Sequence, residues 1–470
     1  MIKQNQLYRL LPLCFLATIT ILSACNKKSE VLALNAGGSG SGSSPGTSAS
    51  QVKDSVLMYT RDVYLWNTQV PANFAVQSYS DPTSIMTAIR PYSLEPGFST
   101  PVDRWSFAMK KTEWDQLSGG MGTLSTTTQG DFGFSVFFRA EGDLRVSLVE
   151  PNAPAGLAGI HRGWRITAIN GNTNITTGNS DFIVNAVYYS TGNTFTFKKP
   201  DGGIVSKTLT AGHYNEKPVY LDTVYHTGGK TIGYLVFNSF LGNINQVKSE
   251  FQRVFTRFAN AQVTDVVVDL RYNGGGYVSL AAQLSNYLVK SASNGAMMMQ
   301  QLYNSKNSAS NATTNFNKAG SLNLDDVYFI VGRGTASASE LVINNLKPHM
   351  DVKLIGATPT HGKPVGFYPI PVSDWYIFPV SFKTVNKNGE GNYYNGFAVN
   401  GQVADGLDKD WGDLNEASLA SAVRNINTGS YFNRSAQDQP YQEDAGVTLG
   451  NDKLNKPGLK ITVDIPKGFR

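Results

Sequence analysis

The sequence is poor in the residues that build metal centres. It contains two cysteines, Cys14 and Cys25, and five histidines in 470 residues, and no pair of histidines has the H-E-x-x-H spacing. Zinc sites take their ligands mainly from clustered cysteines and histidines, and the H-E-x-x-H helix places two histidines one turn apart. We therefore expect neither a metal nor another cofactor.

Charge of one sign is also scarce, and so are long apolar runs. The chain has 40 basic and 35 acidic residues, a net charge of +5, which is too small an excess to indicate nucleic-acid binding. The mostly apolar run Leu10–Ala24 is about 15 residues long, fewer than the roughly 20 that a bilayer-spanning helix needs. A hydrophobic content of 41% over 470 residues is typical of a globular protein with two or three domains.

The first 25 residues have the pattern of an export signal. Lys3 and Arg9 precede the apolar run, which ends in "LSAC" at residues 22–25. This ending resembles the lipobox of bacterial lipoproteins, which implies that residues 1–24 are a signal peptide and that Cys25 carries the lipid. No cysteine would then remain for a disulfide, and removal of two basic and no acidic residues would lower the net charge from +5 to +3.

Residues 25–50 include the Gly/Ser-rich run "AGGSGSGSSPGTSAS". Such a segment behaves as a flexible tether that would hold the folded part about 25–30 Å from a membrane. Asn26, not aspartate, follows the cysteine. By resemblance to lipoprotein sorting this implies a lipid-anchored cell-envelope protein in the outer membrane, facing the periplasm.

Two domains are predicted before the main one. Residues 51–115 combine the helical pattern of "KDSVLMYTRDVYLWN" with proline-rich turns, which predicts a small helical N-terminal domain. In residues 116–215, "GFSVFF" and "LRVSLVEP" alternate as strands do, "APAGLAGI" indicates a short helix, and "WRITAINGN" indicates a strand that enters a tight turn.

The second of these domains resembles a PDZ domain. Asp131, Phe132, Gly133 and Phe134 stand in place of that family's carboxylate-binding Gly-Leu-Gly-Phe loop. PDZ domains bind a peptide C-terminus as an added strand at the edge of a sheet. The resemblance implies that these four residues bind peptide, whereas a generic small β-rich domain remains the alternative.

Residues 216–425 alternate continuous apolar runs with amphipathic segments. "KTIGYLVFNSF", "VTDVVVDLRYN", "DVYFIVGRG" and "VKLIGATP" predict strands, and helical patterns lie between them. Continuous Val/Ile runs indicate strands that are covered on both faces, so the pattern predicts βαβ units in one α/β domain. Residues 426–470 are expected to be a loop-rich tail, in which "LKITVDI" returns as an edge strand.

The stretch "GRGTASASELVINNL", Gly332–Leu346, places three hydroxyl side chains between a strand and a helix. Such a turn lies at the carboxyl edge of the sheet, where ligands bind in open α/β folds, and next to the positive end of a helix. Local sequence alone supports a simpler reading, because Ser337 and Glu340 have the spacing of a capping box.

Three segments in order strengthen the catalytic reading. "VVVDLRYNGGGYV", "GTASASE" and "GATPTHGKPVG" each lie at or near the end of a predicted strand, and "PVDRWSF" precedes the PDZ-like domain. Together they resemble the tail-specific, or C-terminal-processing, serine peptidases and their tricorn-like relatives. The resemblance implies a multidomain α/β protein with a ClpP/crotonase-like peptidase core.

The same resemblance assigns residue roles. It implies that Ser337 is the nucleophile and Lys363 its general base, with an oxyanion hole formed by the main-chain N–H of Gly275 or Gly276 and that of Ala338. Thr335 and Ser339 would then be structural. Asp269 and Arg271 are expected to brace a strand end.

A lysine can take a proton from serine if desolvation lowers its pKa from about 10.4 toward 7–8. Two alternatives to Lys363 stay open, because His361 and His349 could also act as bases. Glu340 is the nearest candidate to orient the lysine. Many relatives carry a glutamine four residues after the lysine, where this chain has Phe367, so the orienting partner is left undecided.

The favoured function is a Ser-Lys serine endopeptidase that acts on exported or unfolded proteins with accessible C-termini. The alternative is a membrane-tethered scaffold that binds peptide termini without cleaving them. A third possibility, an acyl-CoA enzyme of the crotonase type, would leave the PDZ-like segment and the export signal without a role.

Overall fold

The structure, a computed structural model, describes residues 48–118, 130–431 and 445–454, together with the backbone of residues 461–463. The predicted signal peptide, the lipidation site at Cys25 and the tether up to residue 47 lie outside the described residues. Among the helices of the described part, none is long and apolar enough to cross a membrane.

The helices are numbered in chain order. They are α1 Ala49–Val63, α2 Pro82–Ile89, α3 Lys111–Ser118, α4 Pro154–Leu157, α5 Ser180–Val184, α6 Ile244–Asn260, α7 Val278–Leu288, α8 Ala338–Leu346, α9 Ala417–Thr428 and α10 Ala445–Leu454.

The strands are numbered in the same way. They are β1 Phe107–Lys110, β2 Phe134–Ala140, β3 Asp143–Val149, β4 Arg165–Ile169, β5 Gly192–Lys198, β6 Ile204–Thr210, β7 Val219–Thr227, β8 Lys230–Phe237, β9 Asp265–Asp269, β10 Gly275–Tyr277, β11 Met297–Tyr303, β12 Ala312–Asn315, β13 Asp326–Ile330, β14 Asp351–Gly356, β15 Val365–Gly366, β16 Ile370–Val372, β17 Trp375–Phe378, β18 Phe382–Asn386, β19 Gly401–Gln402 and β20 Ile461–Val463.

The N-terminal helices form where the periodicity places them, but they have no core of their own. Val56 of α1 and Ile85 of α2 are fully buried in the same hydrophobic cluster as Phe251 of α6 and Leu280 of α7. The expectation of a separate helical domain over residues 51–115 is therefore corrected. One apolar face on each short helix is too small to close a core, so the helices pack against the α/β part of the chain.

Residues 130–212 form a β-rich domain with its own core. Its five-stranded sheet has the order β2-β3-β4-β5-β6, and each neighbouring pair is antiparallel. The predicted strands and the tight turn after β4 are present, and Asn170 and Gly171 of that turn have φ values of 49° and 78°. The finer assignment of this domain to the PDZ family stays a prediction, and residues 119–129 of its predicted range lie outside the described residues.

The main sheet has six strands in the order β19-β14-β13-β9-β8-β7. Within this sheet, β8, β9, β13, β14 and β19 are parallel, and β7 pairs antiparallel with β8. Phe251 of α6 and Leu341 of α8 contribute to the core on one face, and Leu419 and Ile426 of α9 cover the other. The prediction of a mixed α/β fold with strands buried on both faces is confirmed.

This topology brings the three candidate segments to one edge. The turn at residues 273–276 follows β9, the turn at 334–337 follows β13, and the loop at 357–363 follows β14. Since β9, β13 and β14 are adjacent and parallel, their carboxyl ends lie side by side.

Several elements were missed from the sequence. Strands β11, β12, β15 and β18 form a second sheet, and β1, β16 and β17 form a third. The predicted loop-rich tail is wrong at α9, which runs to Thr428, and at α10. The return of "LKITVDI" as a strand is confirmed for residues 461–463, which pair with β10.

Candidate active site

Ser337 occupies a strained turn at the start of α8. Its φ is 63° and its ψ is −115°, a conformation that costs a residue with a side chain about 1–3 kcal/mol. The residue is fully buried. Ala338 is the first residue of α8, and the N–H groups of a first turn have no acceptor within the helix. The turn therefore places an alcohol beside the main-chain N–H of Ala338, the first N–H of α8.

Two neighbouring hydroxyl groups fix this turn. The Thr335 hydroxyl donates to the Leu270 carbonyl at 2.8 Å, and the Ser339 hydroxyl donates to the Asn273 carbonyl at 3.0 Å. The N–H of Ala336 donates to the same Asn273 carbonyl at 3.1 Å. These bonds give Thr335 and Ser339 structural contacts. They also join the turn at residues 334–337, the serine turn, to the turn at residues 273–276 after β9, the glycine turn.

The Glu340 carboxylate connects the serine turn to the loop at residues 357–363, the lysine loop. Its Oε2 atom accepts from the main-chain N–H of Ser337 at 2.9 Å and from that of Lys363 at 2.8 Å. Its Oε1 atom accepts from the Thr360 hydroxyl and from the Gly362 N–H, both at 2.6 Å. Burial raises the pKa of Glu340, and these four hydrogen bonds oppose that shift.

The capping-box reading is therefore only part of the account. Glu340 does reach back to the N–H of Ser337, as in a capping box. The same oxygen also accepts from Lys363, which lies 26 positions after Ser337. One carboxylate oxygen thus holds the main chain of both candidate catalytic residues within hydrogen-bonding distance.

Lys363 lies in an apolar, aromatic environment. Its side chain is buried, with 1% of the residue exposed. The Nζ atom is 3.9 Å from the centre of the Phe367 ring and 5.9 Å from that of Trp105. Burial lowers the pKa of Lys363 well below its usual range, although the negative charges of Asp103 and Glu340 act in the opposite direction. The Phe367 ring therefore packs against the amine.

The segment "PVDRWSF" supports the lysine loop from the other side. The Arg104 guanidinium donates to the Tyr394 carbonyl at 2.8 Å and to the Gly362 carbonyl at 3.3 Å. The buried Asp103 carboxylate accepts from the N–H groups of Trp105 and Ser106 at 2.8 and 3.0 Å. The segment was noticed in the sequence, but these contacts could not be read from it.

Each of the two alternative bases has one ring nitrogen in a hydrogen bond. The Trp105 indole N–H donates to Nε2 of His361 at 3.0 Å, which occupies one of the two ring nitrogens. His349 follows the C-terminal end of α8, opposite Ser337, and its Nε2 atom is 3.0 Å from the Met297 carbonyl. Burial lowers the pKa of His349.

The glycine turn after β9 is built on Asn273, which is fully buried. The Asn273 amide donates to the Phe237 carbonyl at 2.9 Å, and its Oδ1 atom accepts from the Gly275 N–H at 3.0 Å. The candidate N–H of Gly275 is thus already paired. Gly276 has a φ of 144°, and a Cβ atom there would collide with the main chain of Phe240, so only glycine fits.

The PDZ-like loop lies on the other side of a cleft. The Asp131 carboxylate accepts from the Gly133 N–H and from the Tyr214 hydroxyl, both at 2.8 Å. Phe132 is fully buried in the domain core. Gly133 and Phe134 line a cavity of about 190 Å³ that also touches Gly275. Asp131 and Phe132 therefore have structural contacts, and peptide binding by this loop stays a prediction.

Asp269 and Arg271 form a buried ion cluster at the end of β9. The Arg271 guanidinium donates to Asp269 at 2.7 Å, to Asp405 at 2.7 Å and to Glu416 at 2.9 Å. Arg162 of the β-rich domain contacts the same Asp405 at 2.5 Å. These contacts match the expected bracing of the strand end and extend it to the β-rich domain.

The lysine loop, the serine turn and the glycine turn all lie between β8 and residue 396. Residues 231–396 match the family model described as Peptidase family S41. The S41 segment contains Ser337, Glu340, Lys363 and Gly276, whereas the β-rich domain and α9 lie outside it. A comparison with curated proteins found no match.

A solved structure supports the fold over more of the chain. It is a protein from Bacteroides fragilis NCTC 9343 assigned to the S41 proteases, at 23% identity, with a TM-score of 0.64 over 80% of this chain and 97% of that chain. At this identity the likeness shows the fold.

Two further structures are more distant. The photosystem II D1 C-terminal processing protease has 17% identity and a TM-score of 0.48 over 76% of this chain and 94% of that one. The tricorn protease has 15% identity and a TM-score of 0.35 over 80% of this chain and 36% of that one.

Sequence reasoning missed the contributions of Asn273, Thr360 and Trp105 to the site. Asn273 is the first residue of the "NGGG" turn, in which the three glycines are the stronger sequence signal. A buried asparagine at the end of an apolar strand was a usable signal, because a buried amide needs hydrogen-bonding partners. Thr360 and Trp105 gave no such signal.

Proposed function

We propose that this protein is a serine endopeptidase in which Ser337 is the nucleophile and Lys363 the general base. Glu340 acts as a positioning residue for both. The N–H groups of Gly276 and Ala338 bind the oxyanion. The match of residues 231–396 to Peptidase family S41 supports the peptidase class.

One observation carries the proposal. The Oε2 atom of Glu340 accepts hydrogen bonds from the main chain of both Ser337 and Lys363, and the lysine amine lies against aromatic rings. An amine in such an environment is neutral at a lower pH than an exposed one, and a neutral amine can take the serine proton.

The reaction then follows from these groups. Ser337 Oγ attacks the peptide carbonyl while Lys363 Nζ takes its proton. The negative charge on the carbonyl oxygen is stabilised by main-chain N–H groups, each contributing about 3–4 kcal/mol to the transition state. Lys363 returns the proton to the leaving amine, and a water molecule activated by the same lysine hydrolyses the acyl-enzyme.

The substrates we propose are exported or unfolded proteins with accessible C-termini. The cavity between the β-rich domain and Gly275 supports this class, because an extended chain that lies along β2 can continue to the glycine turn. We also propose that the protein is a lipoprotein that is anchored in the outer membrane through Cys25 and faces the periplasm. That part rests on the sequence of residues 1–25 alone.

Replacement of the nucleophile tests the proposal. In Ser337→Ala, hydrolysis of an unstructured fluorogenic peptide should fall by about 10⁴–10⁶-fold, because no other group can form the acyl-enzyme. The control is Ser305→Ala, which removes an exposed hydroxyl outside the site and should retain full activity. Both chains should keep the circular dichroism spectrum of the parent.

The scaffold alternative makes the opposite prediction. A scaffold would bind the peptide with the same affinity with or without Ser337, and the parent chain would show no hydrolysis. Parent activity that survives in Ser337→Ala would contradict the assigned nucleophile.

A further inference from the structure

Helix α10, near the end of the chain, lies on the β-rich domain at the open edge of β2. The Phe138 N–H donates to Oδ1 of Asn451 at 2.7 Å, and Nδ2 of Asn451 donates to the Phe138 carbonyl at 2.9 Å. One side-chain amide thus pairs with both main-chain groups of an edge residue, as a neighbouring strand would. Asn451 is 3% exposed.

Apolar and close contacts hold the same helix in place. Val447 and Leu454 are buried in the core of the β-rich domain. Gly450 faces Thr177, whose Cβ lies 3.0 Å from the position of a Cβ atom on residue 450. The helix therefore lies against the β2 edge and the segment before α5, in the position that a bound peptide would take on a PDZ-like domain.

Strand β20 lies at the glycine turn. Residues 461–463 pair in parallel with Gly275–Tyr277. On the other side of β10, the Phe240 N–H donates to the Gly275 carbonyl and the Tyr277 N–H donates to the Phe240 carbonyl, both at 2.9 Å. Successive residues of a strand direct their main-chain groups to opposite sides, so the N–H of Gly276 faces β20.

The C-terminal end of α10 also adjoins the site. Leu454, at the end of α10, lines the cavity that touches Gly275. Asp452 Oδ1 is 3.6 Å from Nη1 of Arg333, which lies four residues before Ser337. This ion pair is partly exposed and therefore weak, but it places α10 next to the loop that carries the serine.

We propose that residues 445–454 and 461–463, the C-terminal segment, are an internal ligand of the peptide-binding cleft. The helix occupies the β2 edge, and the strand occupies the main-chain position that an extended peptide substrate takes beside Gly276. Peptide must displace the segment before it is cleaved. The part of this inference that concerns substrate rests on the proposed peptidase function.

Replacement of Asn451 in the full chain tests the docking. Asn451→Ala removes both hydrogen bonds to Phe138 and should weaken the internal ligand. A competitor that binds only the free site raises KM and leaves kcat unchanged, so the variant should show a KM lowered roughly three- to tenfold at constant kcat. Leu449→Ala is the matched control, because Leu449 is on the same helix and 67% exposed; it should match the parent.

Hydrogen exchange gives a readout that does not need activity. In Asn451→Ala, the amides of Phe138 and Gly276 should both exchange faster than in the parent, while those of β9 should not change. Unchanged exchange at Gly276, or an unchanged KM, would overturn the proposal. If no chain hydrolyses peptide, the peptidase function fails, and the exchange data still decide whether the segment covers the glycine turn.

A reversible crosslink covers the possibility that Asn451→Ala disturbs folding. Thr177→Cys with Gly450→Cys, in a chain whose Cys14 and Cys25 are replaced by serine, places two thiols near the roughly 3.5–4.5 Å Cβ separation of a disulfide. Oxidation should suppress hydrolysis, and a reductant should restore it. Equal rates in the oxidised and reduced chains would refute the proposal.

Discussion

At the scale of single residues, the decisive feature is the environment of Lys363. An exposed lysine is protonated at neutral pH and cannot accept a proton from serine. Here the side chain is buried, and the nearest groups to its amine include the faces of Phe367 and Trp105. An aromatic face offers no acceptor lone pair comparable to the amide oxygen of glutamine, so Phe367 contributes to the burial of the amine, while Glu340 positions the lysine by accepting from its main-chain N–H.

The activity is expected to follow the titration of Lys363. Because burial lowers the pKa of this lysine, peptide hydrolysis should rise with pH as the amine loses its proton. A rate that stays constant between about pH 6 and 9 would count against the lysine as base. The measurement is kcat/KM for a fluorogenic peptide across this range, with alkylation of His361 as a control that should leave activity intact.

Lys363→Met should be inactive but more stable. A lysine whose pKa is lowered on folding binds fewer protons in the folded state, so the free energy of unfolding rises with pH up to about 10.4, the unfolded value. Methionine removes the cost of burying the amine and should add about 1–3 kcal/mol at neutral pH. The gain should shrink toward pH 10, as urea unfolding at several pH values would show. Equal stability of the two chains at pH 7 would mean that the amine is hydrated.

At the scale of elements, the site depends on three turns that follow three adjacent parallel strands. Asn273 links two of them, because its carbonyl accepts from Ala336 and Ser339 while its side chain spans Phe237 and Gly275. The strands determine where the turns lie, and the side-chain hydrogen bonds determine their shape.

Asn273→Ala should lower kcat by about 10–100-fold, because the glycine turn loses the bonds that aim its N–H groups. KM should change little, since the cleft along β2 is untouched. The free energy of unfolding should fall by about 1–3 kcal/mol, as a buried carbonyl loses its donor.

Asn286→Ala is the control for this prediction. Its side chain also accepts a main-chain N–H, that of Asn317 at 2.9 Å, but it lies outside the site. It should lose stability without a change in kcat. A proportional loss of stability and activity in both variants would reduce Asn273 to a general structural role.

At the scale of the whole molecule, one buried ion cluster joins the β-rich domain to the main sheet. Asp405 accepts from Arg162 on one side and from Arg271 on the other, and from the Tyr272 hydroxyl. Burial alone raises the pKa of Asp405, but the two guanidinium groups outweigh it and lower the pKa overall. A carboxylate with a lowered folded pKa stabilises the fold above its unfolded pKa of about 3.9 and loses this contribution as the pH falls further.

Asp405→Asn should reduce the free energy of unfolding by about 3–5 kcal/mol at pH 7, because two buried guanidinium groups lose a shared counter-charge. The difference from the parent should narrow as the pH falls below about 4, because the carboxylate takes up a proton in the unfolded parent while the folded parent still holds it ionised. Urea unfolding at pH 7 and at acidic pH would measure both effects. The control is Asp115→Asn, at an exposed position, whose free energy of unfolding should stay within about 0.5 kcal/mol of the parent value. A similarly small effect of Asp405→Asn would mean that the cluster does not couple the two parts of the chain.

The part of the fold that could be predicted from sequence is the part with local signals. The apolar runs of β8, β9, β13 and β14 and the amphipathic pattern of α6 depend on side chains close together in the chain, so their periodicity is visible without a structure. The sequence also predicts that the three polar turns lie at the ends of successive strands. Helix α10, with two glycines in ten residues, has no such pattern and forms because the β-rich domain buries Val447 and Leu454.

The sequence by itself determined the strand-helix alternation and the candidate set of Ser337, Lys363 and the glycine turn, because these are carried by contiguous segments. Only the tertiary structure decided which groups surround them. The shared bonds from Glu340, the aromatic faces around Lys363 and the position of β20 beside Gly276 join residues from 3 to nearly 260 positions apart in the chain. Such contacts arise when the core closes, and no local pattern encodes them.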